Sequence, residues 1–236
     1  MKLSIIIPVR NEELAVKKII DELQNKLIDL EFEIIFIDDF STDNTKRILD
    51  EIIKNKKEIS LFENQKKGLG GAISLGINKS SGQAICIMMS DLSDDINDLK
   101  TYYNIIRNQN VDAVFGSRFV KGSTVIDYPK KKLILNRIFN FITKLLFISD
   151  YNDFTNAFKI YKKEALLNTF PLVSESFNIF LELPLKIISR KMKYKIIPIS
   201  WTNRKVGKSK FDIKELRAKY LFTLIYCLLE KLLLKK

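Results

Sequence analysis

The sequence predicts an α/β protein whose central sheet is mostly parallel and flanked by helices, and three observations support this fold class. Short runs of β-branched and aromatic residues alternate with segments of helical periodicity. The run from Gln83 to Met89 is almost entirely apolar, which is typical of a strand covered on both faces of a parallel sheet. Glycine or carboxylate turns follow several of the runs. We therefore expect βαβ units with right-handed crossovers.

Hydrophobic periodicity assigns the individual elements in order. The predicted strands are Leu3 to Val9, Phe32 to Ile37, Ile59 to Phe62, Gln83 to Met89, Val111 to Phe119, Lys159 to Tyr161 and Lys195 to Trp201. The predicted helices are 12–28, 45–54, a short helix that ends at Ile77, 96–108, 130–148, 177–190 and a C-terminal helix that includes Tyr220 to Leu229. Asn11 is predicted to cap the first helix, with Glu12 and Glu13 in its first turn.

Composition limits the classes of function. The 236 residues suffice for one large domain, and the formal net charge of +12 favours an anionic partner: nucleic acid, lipid headgroups or a phosphorylated substrate. Cys86 and Cys227 are far apart in sequence, so no disulfide framework or zinc site is predicted. The absence of histidine excludes histidine bases and metal ligands. Without a signal-peptide pattern at the N-terminus, we expect a reducing, cytoplasmic location.

Three carboxylates, Asp91, Asp94 and Asp95, come soon after the predicted strand that ends at Met89. Open α/β sheets bind ligands at the carboxyl ends of their strands, so this cluster predicts a site for a divalent metal and a nucleotide diphosphate. The Asp38-Asp39 pair and the Gly68–Gly71 turn also follow strands. Taken singly, each of these motifs is more often a turn or a helix cap than a binding site.

The predicted helix 130–148 has a wide apolar face and a basic polar stripe that includes Lys132, Asn136, Arg137, Asn140, Thr143 and Lys144. Such a helix suits a membrane interface, and a buried core helix is the alternative. The apolar stretch of the C-terminal helix is too short to span a bilayer, so that helix is expected to be packed or interfacial.

The motifs, taken in order, resemble those of the family 2 inverting glycosyltransferases, and in particular the dolichol-phosphate mannosyltransferase and polyprenyl-phosphate glycosyltransferase branch. They are Ile5 to Glu12, Ile37 to Asp43, Lys67 to Gly70, Met88 to Ser93, Gly116 to Arg118, and Arg204 with Ser209-Lys210. The resemblance runs from Leu3 to about Lys210. It implies a GT-A domain over 1–211, followed by the helix of 212–236.

The resemblance also implies a nucleotide site for a GDP- or UDP-sugar, formed by Pro8, Arg10, Glu12, Asp39, Gly68 and Ser90. The family's Asp-x-Asp metal motif falls on Met89-Ser90-Asp91, where methionine replaces the first aspartate. A thioether is a poor ligand for Mg²⁺ or Mn²⁺. Asp91 is therefore the predicted metal ligand, helped by Asp94 or Asp95. The alternative is a domain that keeps the fold and has lost catalysis.

The predicted reaction is in-line displacement at the anomeric carbon, with inversion and with the metal stabilising the leaving diphosphate. By resemblance, Asp91, Arg118 and Arg204 are the catalytic residues. A lipid-phosphate acceptor is already largely anionic at neutral pH and needs no strong base. A sugar hydroxyl would need a carboxylate base, for which Asp94, Asp95 and Asp153 are the candidates.

By resemblance, the acceptor-phosphate contacts are Lys132, Asn136, Arg137 and Ser209, alongside Arg118 and Arg204. These assignments predict transfer to a polyprenyl phosphate by a peripheral protein at the inner face of the cell membrane. Two alternatives remain: a glycan- or protein-directed glycosyltransferase, and a nucleic-acid-binding protein suggested by the positive charge. No helix-turn-helix, zinc-finger or RNP-like pattern supports the last of these.

Overall fold

The computed structural model describes residues 1–203 and 213–234, with side chains for 1–203 and 218–234. Its strands are β1 Leu3–Val9, β2 Phe32–Asp38, β3 Ile59–Glu63, β4 Ala84–Ile87, β5 Ala113–Ser117, β6 Thr124–Ile126, β7 Lys159–Lys162, β8 Tyr194–Pro198 and β9 Ser200–Thr202. Its helices are α1 Val16–Lys26, α2 Thr45–Ile53, α3 Leu69–Lys79, α4 Ile96–Asn108, α5 Lys130–Phe147, α6 Lys163–Leu167, α7 Ile179–Ser189 and α8 Ile213–Leu233.

The central sheet has seven strands in the order β3-β2-β1-β4-β7-β5-β8. All of them run parallel except β7, which is antiparallel to both β4 and β5. The predicted fold class is therefore confirmed. Because the other strands share one direction, their carboxyl ends meet at one edge of the sheet. The first residue of β7, Lys159, lies at the same edge because β7 runs the opposite way.

Helices cover both faces of this sheet, which explains why every residue of β1 is buried. Leu3, Ile5 and Ile7 pack on one face with α1 and α4, while Ile6 packs on the other with α3 and α7. Successive side chains of a strand point to opposite faces, so a strand between two layers of helices has no solvent-facing position.

The first helix begins later than predicted, at Val16, and Asn11 is not its cap. Asn11 has a φ of 52° and accepts a hydrogen bond from the backbone N–H of Thr42 at 2.7 Å through its side-chain oxygen. The backbone N–H of Glu12 donates to the Thr45 hydroxyl at 2.8 Å. The β1–α1 turn is therefore held by the β2–α2 turn beside it, a tertiary contact that overrides the local capping preference.

The single strand predicted from Lys195 to Trp201 is two strands, β8 and β9. The first pairs with β5 in the main sheet, and the second pairs with β6 in a separate two-stranded sheet. The break falls at Ile199, which is buried and donates its N–H to the carbonyl of Ser117 at 3.2 Å. This turn carries Trp201 over the carboxyl edge of the main sheet.

Helix α5 turns polar side chains inward and apolar side chains outward. Asn140 and Thr143 are buried, and Asn140 accepts the N–H of Phe154 at 2.6 Å. The exposed apolar residues of α5 and the residue after it are Ile134, Leu135, Ile138, Phe141, Ile142, Leu145, Leu146 and Ile148. A buried core helix would bury these residues, so within the residues that the structure describes α5 is not a core helix.

Helix α8 lies beside α5 and packs on α7. The rings of Phe139 and Tyr220 are 5.8 Å apart, and Lys231 donates to the carbonyl of Phe147 at 2.6 Å. Thr223, Leu224 and Cys227 are buried, while the outward residues Leu221, Phe222, Ile225, Leu229, Leu232, Leu233 and Leu234 are exposed. Within the described residues, no helix is long and apolar enough to cross a membrane. The predicted boundary between 1–211 and 212–236 stays a prediction.

Candidate active site

The turns after three neighbouring strands share an uncommon backbone geometry. Asn11 after β1, Phe40 after β2 and Leu92 after β4 have φ values of 52°, 60° and 54°. Positive φ is disfavoured for residues with a side chain and is often retained at functional sites. These turns place the predicted nucleotide and metal residues around the carboxyl edge of β1, β2 and β4.

Asp39 and Gly68 are brought into direct contact. The Asp39 Oδ1 accepts the backbone N–H of Gly68 and the side-chain amide of Asn64, both at 2.8 Å. Gly68 has a φ of 121°, and an added Cβ would lie 2.5 Å from the carbonyl oxygen of Glu175, so only glycine suits this position. Sequence reasoning did not single out Asn64, although it follows β3 directly and the same strand-end rule would have found it.

Asp38 presents a buried oxygen that lacks a partner. Its Oδ2 accepts the N–H of Ser41 at 3.2 Å, while its Oδ1 has no hydrogen-bond donor in the described part of the chain. Leaving a buried acceptor unpaired costs about 1–3 kcal/mol. A hydroxyl or amine of a bound ligand would relieve that cost.

The other predicted nucleotide residues from the N-terminal motif lie in β1 and just beyond it. Pro8 is buried opposite Ile37, Arg10 is exposed, and Glu12 is half-buried. This places all three near the Asp38-Asp39 turn, because Asp39 donates its N–H to the carbonyl of Val9 at 2.8 Å. Arg10 alone among the three projects a charge into solvent.

Asp91 and Asp94 lie close together in the turn after β4. Asp91 is half-buried, and its Oδ1 accepts the N–H of Ser93 at 3.1 Å; Ser90 is buried. The pKa of the Asp94 carboxyl is raised to about 8. Burial is the largest cause, and the negative charge of Asp91 contributes to the same rise. Met89, which stands in place of the first aspartate of the metal motif, packs against the apolar core.

Asp95 serves as the N-cap of α4. Its Oδ1 accepts the N–H of Asn97 at 2.8 Å and lies 3.9 Å from the ammonium of Lys26. Of the three carboxylates after β4, the structure thus brings Asp91 and Asp94 together and directs Asp95 to the helix start. No group of three or more carboxylate or thiol ligands is assembled within 1–203 and 213–234.

Arg118 is held in a buried two-point ion pair with Asp153. Its Nε and Nη2 donate to the two oxygens of Asp153 at 2.9 and 2.7 Å, and the Arg118 backbone N–H donates to Oδ2 at 2.9 Å. The rings of Phe119, Tyr128 and Trp201 lie 5.3 to 5.5 Å from its guanidinium carbon. Asp153, a candidate base from the sequence, is fully buried and engaged by Arg118.

The remaining acceptor-phosphate candidates lie around Arg118. Burial lowers the pKa of the Lys132 ammonium, Arg118 lowers it further, and Asp91 opposes the shift, so both charges act on Lys132. Arg137 lies 4.6 Å from the centre of the Phe119 ring. Asn136 donates to the Thr155 hydroxyl at 2.7 Å. Arg204 and Ser209 lie outside the described residues.

Sequence reasoning missed the aromatic residues that surround Arg118. Tyr128 and Trp201 are distant in sequence, yet their rings are 5.0 Å apart. Trp201 was assigned to a strand without a role. The signal in the sequence that could have pointed to it is that it is the single tryptophan of the chain. Lys159 was likewise treated as the start of a strand, although a lysine between Phe158 and Ile160 is unusual in a buried strand.

The parallel sheet, the acidic turns at its carboxyl edge and the basic cluster beside them define a GT-A glycosyltransferase domain. Residues 4–170 match the model of glycosyl transferase family 2, and the chain belongs to this family. The family resemblance predicted from the motifs is confirmed.

Curated relatives support the predicted branch of the family. The chain is 27% identical to a dolichol-phosphate mannosyltransferase of Pyrococcus furiosus over 216 residues, which cover 91% of this chain and 60% of that protein. It is 27% identical over 170 residues to glycosyltransferase AglD of Haloferax volcanii, covering 70% of this chain and 27% of that protein. It is 24% identical to a polyprenol monophosphomannose synthase of Mycolicibacterium smegmatis, covering 90% and 82%. The chain therefore spans less than two thirds of the first two relatives.

A solved structure with the same fold is the glucosyl-3-phosphoglycerate synthase of Mycobacterium tuberculosis, in complex with Mn²⁺, UDP and glucosyl-3-phosphoglycerate. The TM-score is 0.72, with 98% of this chain and 79% of that chain covered, at 15% sequence identity. At this identity the likeness establishes the fold alone.

Proposed function

We propose that this protein transfers a sugar from a nucleotide-diphosphate sugar to a polyprenyl phosphate at a membrane surface, with inversion at the anomeric carbon. Two of the relatives are named for dolichol-phosphate and polyprenol mannose transfer, which supports this acceptor class. The observation that carries the proposal is that Lys132, at the start of a helix with an exposed apolar face, is close enough to both Arg118 and Asp91 for their charges to shift its pKa.

The nucleotide would bind at the turns after β1, β2 and β3. Asp39, Gly68 and Asn64 form one rigid hydrogen-bonded unit there. The unpaired Asp38 Oδ1 supplies an acceptor for a ribose or base donor. Pro8, Arg10 and Glu12 lie along the same edge, and Ser90 would contact the diphosphate from the turn after β4. A GDP- or a UDP-sugar fits these general features.

A divalent ion, Mg²⁺ or Mn²⁺, fits the carboxylates beside this pocket. Burial and the neighbouring charge of Asp91 penalise ionised Asp94, and a cation between these carboxylates would remove that penalty. Mg²⁺ commonly takes only one or two protein carboxylates and completes its shell with water and phosphate oxygens. When bound, such an ion supplies a Lewis acid for the leaving diphosphate. The glucosyl-3-phosphoglycerate synthase of the same fold, crystallised with Mn²⁺ and either UDP or UDP-glucose, supports this assignment.

The acceptor phosphate would bind beside Arg118, Lys132 and Arg137. Asp153 fixes the plane of the Arg118 guanidinium and leaves Nη1 outside the two-point contact. An anionic phosphate oxygen is itself the nucleophile, so the burial of Asp153 against Arg118 and the lack of histidine do not impede the reaction. A sugar hydroxyl would need a base, and Asp94 is the remaining carboxylate directed at the site.

A lipid acceptor requires a membrane-facing surface, and the outward sides of α5 and α8 would provide it. The two helices run side by side and expose the fifteen large apolar residues named above. Monomeric soluble proteins rarely expose so large a contiguous apolar surface. With the net charge of +12, this surface suits an anionic bilayer, which would be the inner face of the cell membrane.

The experiment that tests the function has two stages. First, the full chain is screened with nucleotide sugars and nucleoside diphosphates for a rise in unfolding temperature, with and without Mn²⁺, since a ligand of the native state stabilises it by mass action. The stabilising donor is then offered to a polyprenyl phosphate and to soluble glycans. Transfer to the lipid phosphate is expected. Transfer only to a soluble sugar would favour the glycan-directed alternative, and no stabilisation by any donor would contradict the nucleotide site.

The membrane surface yields a separate prediction. Replacing Phe141 and Leu145 together by aspartate should lower binding to vesicles of anionic phospholipid by at least about 100-fold, because burial of each large apolar side chain contributes roughly 1.5–3 kcal/mol. Binding is measured by co-sedimentation at high salt, which screens the general attraction of a basic protein. Ile28→Asp is the control, because Ile28 is also an exposed large apolar residue but follows α1 at the opposite edge of the sheet. Equal loss in both variants would argue against this surface.

A further inference from the structure

Lys159 is a fully buried lysine at the centre of the main sheet, with 1% of its surface exposed. It is the first residue of β7 and lies opposite Ile87 of β4 and Phe115 of β5. Those two strands lead directly into the turns that carry Asp91 and Arg118. The buried ammonium therefore lies beneath the point where the metal and phosphate parts of the proposed site meet.

The ammonium of Lys159 holds the turn that precedes β7. It donates to the carbonyl oxygen of Phe154 at 3.2 Å and to that of Asn156. This turn begins at Asp153, whose two carboxylate oxygens accept hydrogen bonds from the Arg118 guanidinium. A continuous set of contacts thus runs from Lys159 through the 153–156 turn to Asp153 and Arg118.

Charges of both signs surround the ammonium of Lys159. Burial lowers the pKa of its ammonium to about 7. The negative charges of Asp153 and Asp94 oppose this shift, and the positive charge of Arg118 adds to it. The ring of Tyr151 lies 5.6 Å from the ammonium, and Tyr102 donates to the carbonyl of Phe158 from α4. An apolar residue would fill this position without the several kcal/mol that burial of a charge costs. In this chain the buried ammonium is instead offset by the two carbonyl oxygens that it holds in place.

We propose that Lys159 is a positioning residue for the transfer step: it fixes the 153–156 turn so that Asp153 presents Arg118 to the phosphates. This proposal rests on the proposed role of Arg118. Lys159 does not touch the substrate, so it should govern the rate of transfer and leave the affinity for the nucleotide unchanged. Displacing a catalytic group by about 1 Å costs on the order of 100-fold in rate.

The first test compares Lys159→Met with Lys159→Arg. Methionine keeps an unbranched side chain and removes the charge and the donors, whereas arginine keeps both. Tyr102→Phe is the matched control, because it removes a neutral hydrogen bond to the carbonyl of Phe158 beside the same turn, at 3.2 Å. For each folded variant, kcat and KM are measured with the donor found in the screen, and the nucleotide Kd is measured by calorimetry.

We expect Lys159→Met to lower kcat about 100-fold at unchanged nucleotide Kd. Lys159→Arg should recover most of this loss, and Tyr102→Phe should leave kcat unchanged. An unchanged kcat in Lys159→Met, or an equal loss in Tyr102→Phe, would overturn the proposal. These outcomes require a wild-type protein that transfers sugar, so they are distinct from failure of the proposed function, in which the wild type itself is inactive.

A pH profile keeps the proposal testable if Lys159→Met does not fold. As the pH rises through the lowered pKa of Lys159, about 7, the ammonium becomes a neutral amine and its two charge-assisted hydrogen bonds to the turn become weaker neutral ones, so the wild-type kcat should fall on the alkaline side. Arginine stays protonated over this range, so the fall should be absent in Lys159→Arg. The same alkaline fall in both proteins would refute the proposal, because another group would then be responsible.

Discussion

Replacing Asp91 by asparagine is expected to lower metal-dependent turnover on the order of 10²- to 10³-fold, the usual range for loss of one group that stabilises developing charge. Asp91 is the half-buried carboxylate of the predicted metal motif, and its charge adds to the rise that burial causes in the pKa of the neighbouring Asp94. An amide keeps the size of the side chain and the acceptor for the Ser93 N–H, so the fold should persist. The measurement is kcat with the screened donor over a titration of Mn²⁺.

Asp95→Asn is the matched control for this experiment. Asp95 caps α4 through the N–H of Asn97, and asparagine caps a helix about as well as aspartate. Turnover and stability should therefore both remain near those of the wild type. If Asp95→Asn loses metal-dependent turnover as Asp91→Asn does, Asp95 is a ligand and its capping geometry changes when the metal binds. Full activity in Asp91→Asn would show that the metal is held elsewhere or is not needed.

The second large effect concerns folding stability. Asp153→Asn should lower the free energy of unfolding by about 3–5 kcal/mol, because it leaves the Arg118 guanidinium buried without its counter-charge. Both oxygens of Asp153 accept from Arg118, and the exposed surface of the two side chains is 8% for Arg118 and 0% for Asp153. Urea unfolding measures the effect. Asp150→Asn, at an exposed position nearby, should change the free energy of unfolding by less than about 0.5 kcal/mol.

A double variant separates the structural role of this pair from its catalytic role. Replacing a buried ion pair by apolar residues of similar size is often neutral for stability. Arg118→Met combined with Asp153→Leu should therefore recover most of the lost stability while turnover stays low. If the double variant also regains turnover, Arg118 does not contact the phosphates. If Asp153→Asn alone is as stable as the wild type, water or another group compensates the Arg118 charge.

The sequence motifs predicted the location of the site, at the carboxyl edge of the sheet, better than they predicted the role of each side chain there. The order Asp38-Asp39, Gly68, Asp91 and Arg118 was enough to predict a common site, because the carboxyl ends of parallel strands meet at one edge. The roles within that site were harder to read. Asp94 and Asp95 are adjacent and chemically identical, yet one is buried near Asp91 and the other caps a helix. Their burial depends on the direction of the turn around Leu92, which has a positive φ.

The sequence also did not determine which face of α5 is turned inward. Its wide apolar face and basic polar stripe favour a membrane interface, but an apolar face of this width also occurs in helices of a protein core. The hydrogen bond from the Phe154 N–H to Asn140 decides which face is turned inward. The apolar face is left outside, beside the outward residues of α8.

The sequence by itself determined the α/β class, the parallel strands and the family, since these depend on local periodicity and on short motifs in a set order. Only the tertiary structure decided which charges are paired. Asp153 meets Arg118 across 35 positions of the chain, Trp201 reaches Arg118 from a strand outside the main sheet, and Lys159 is buried between two site strands. Such contacts depend on how distant segments pack, and no local pattern of residues encodes them.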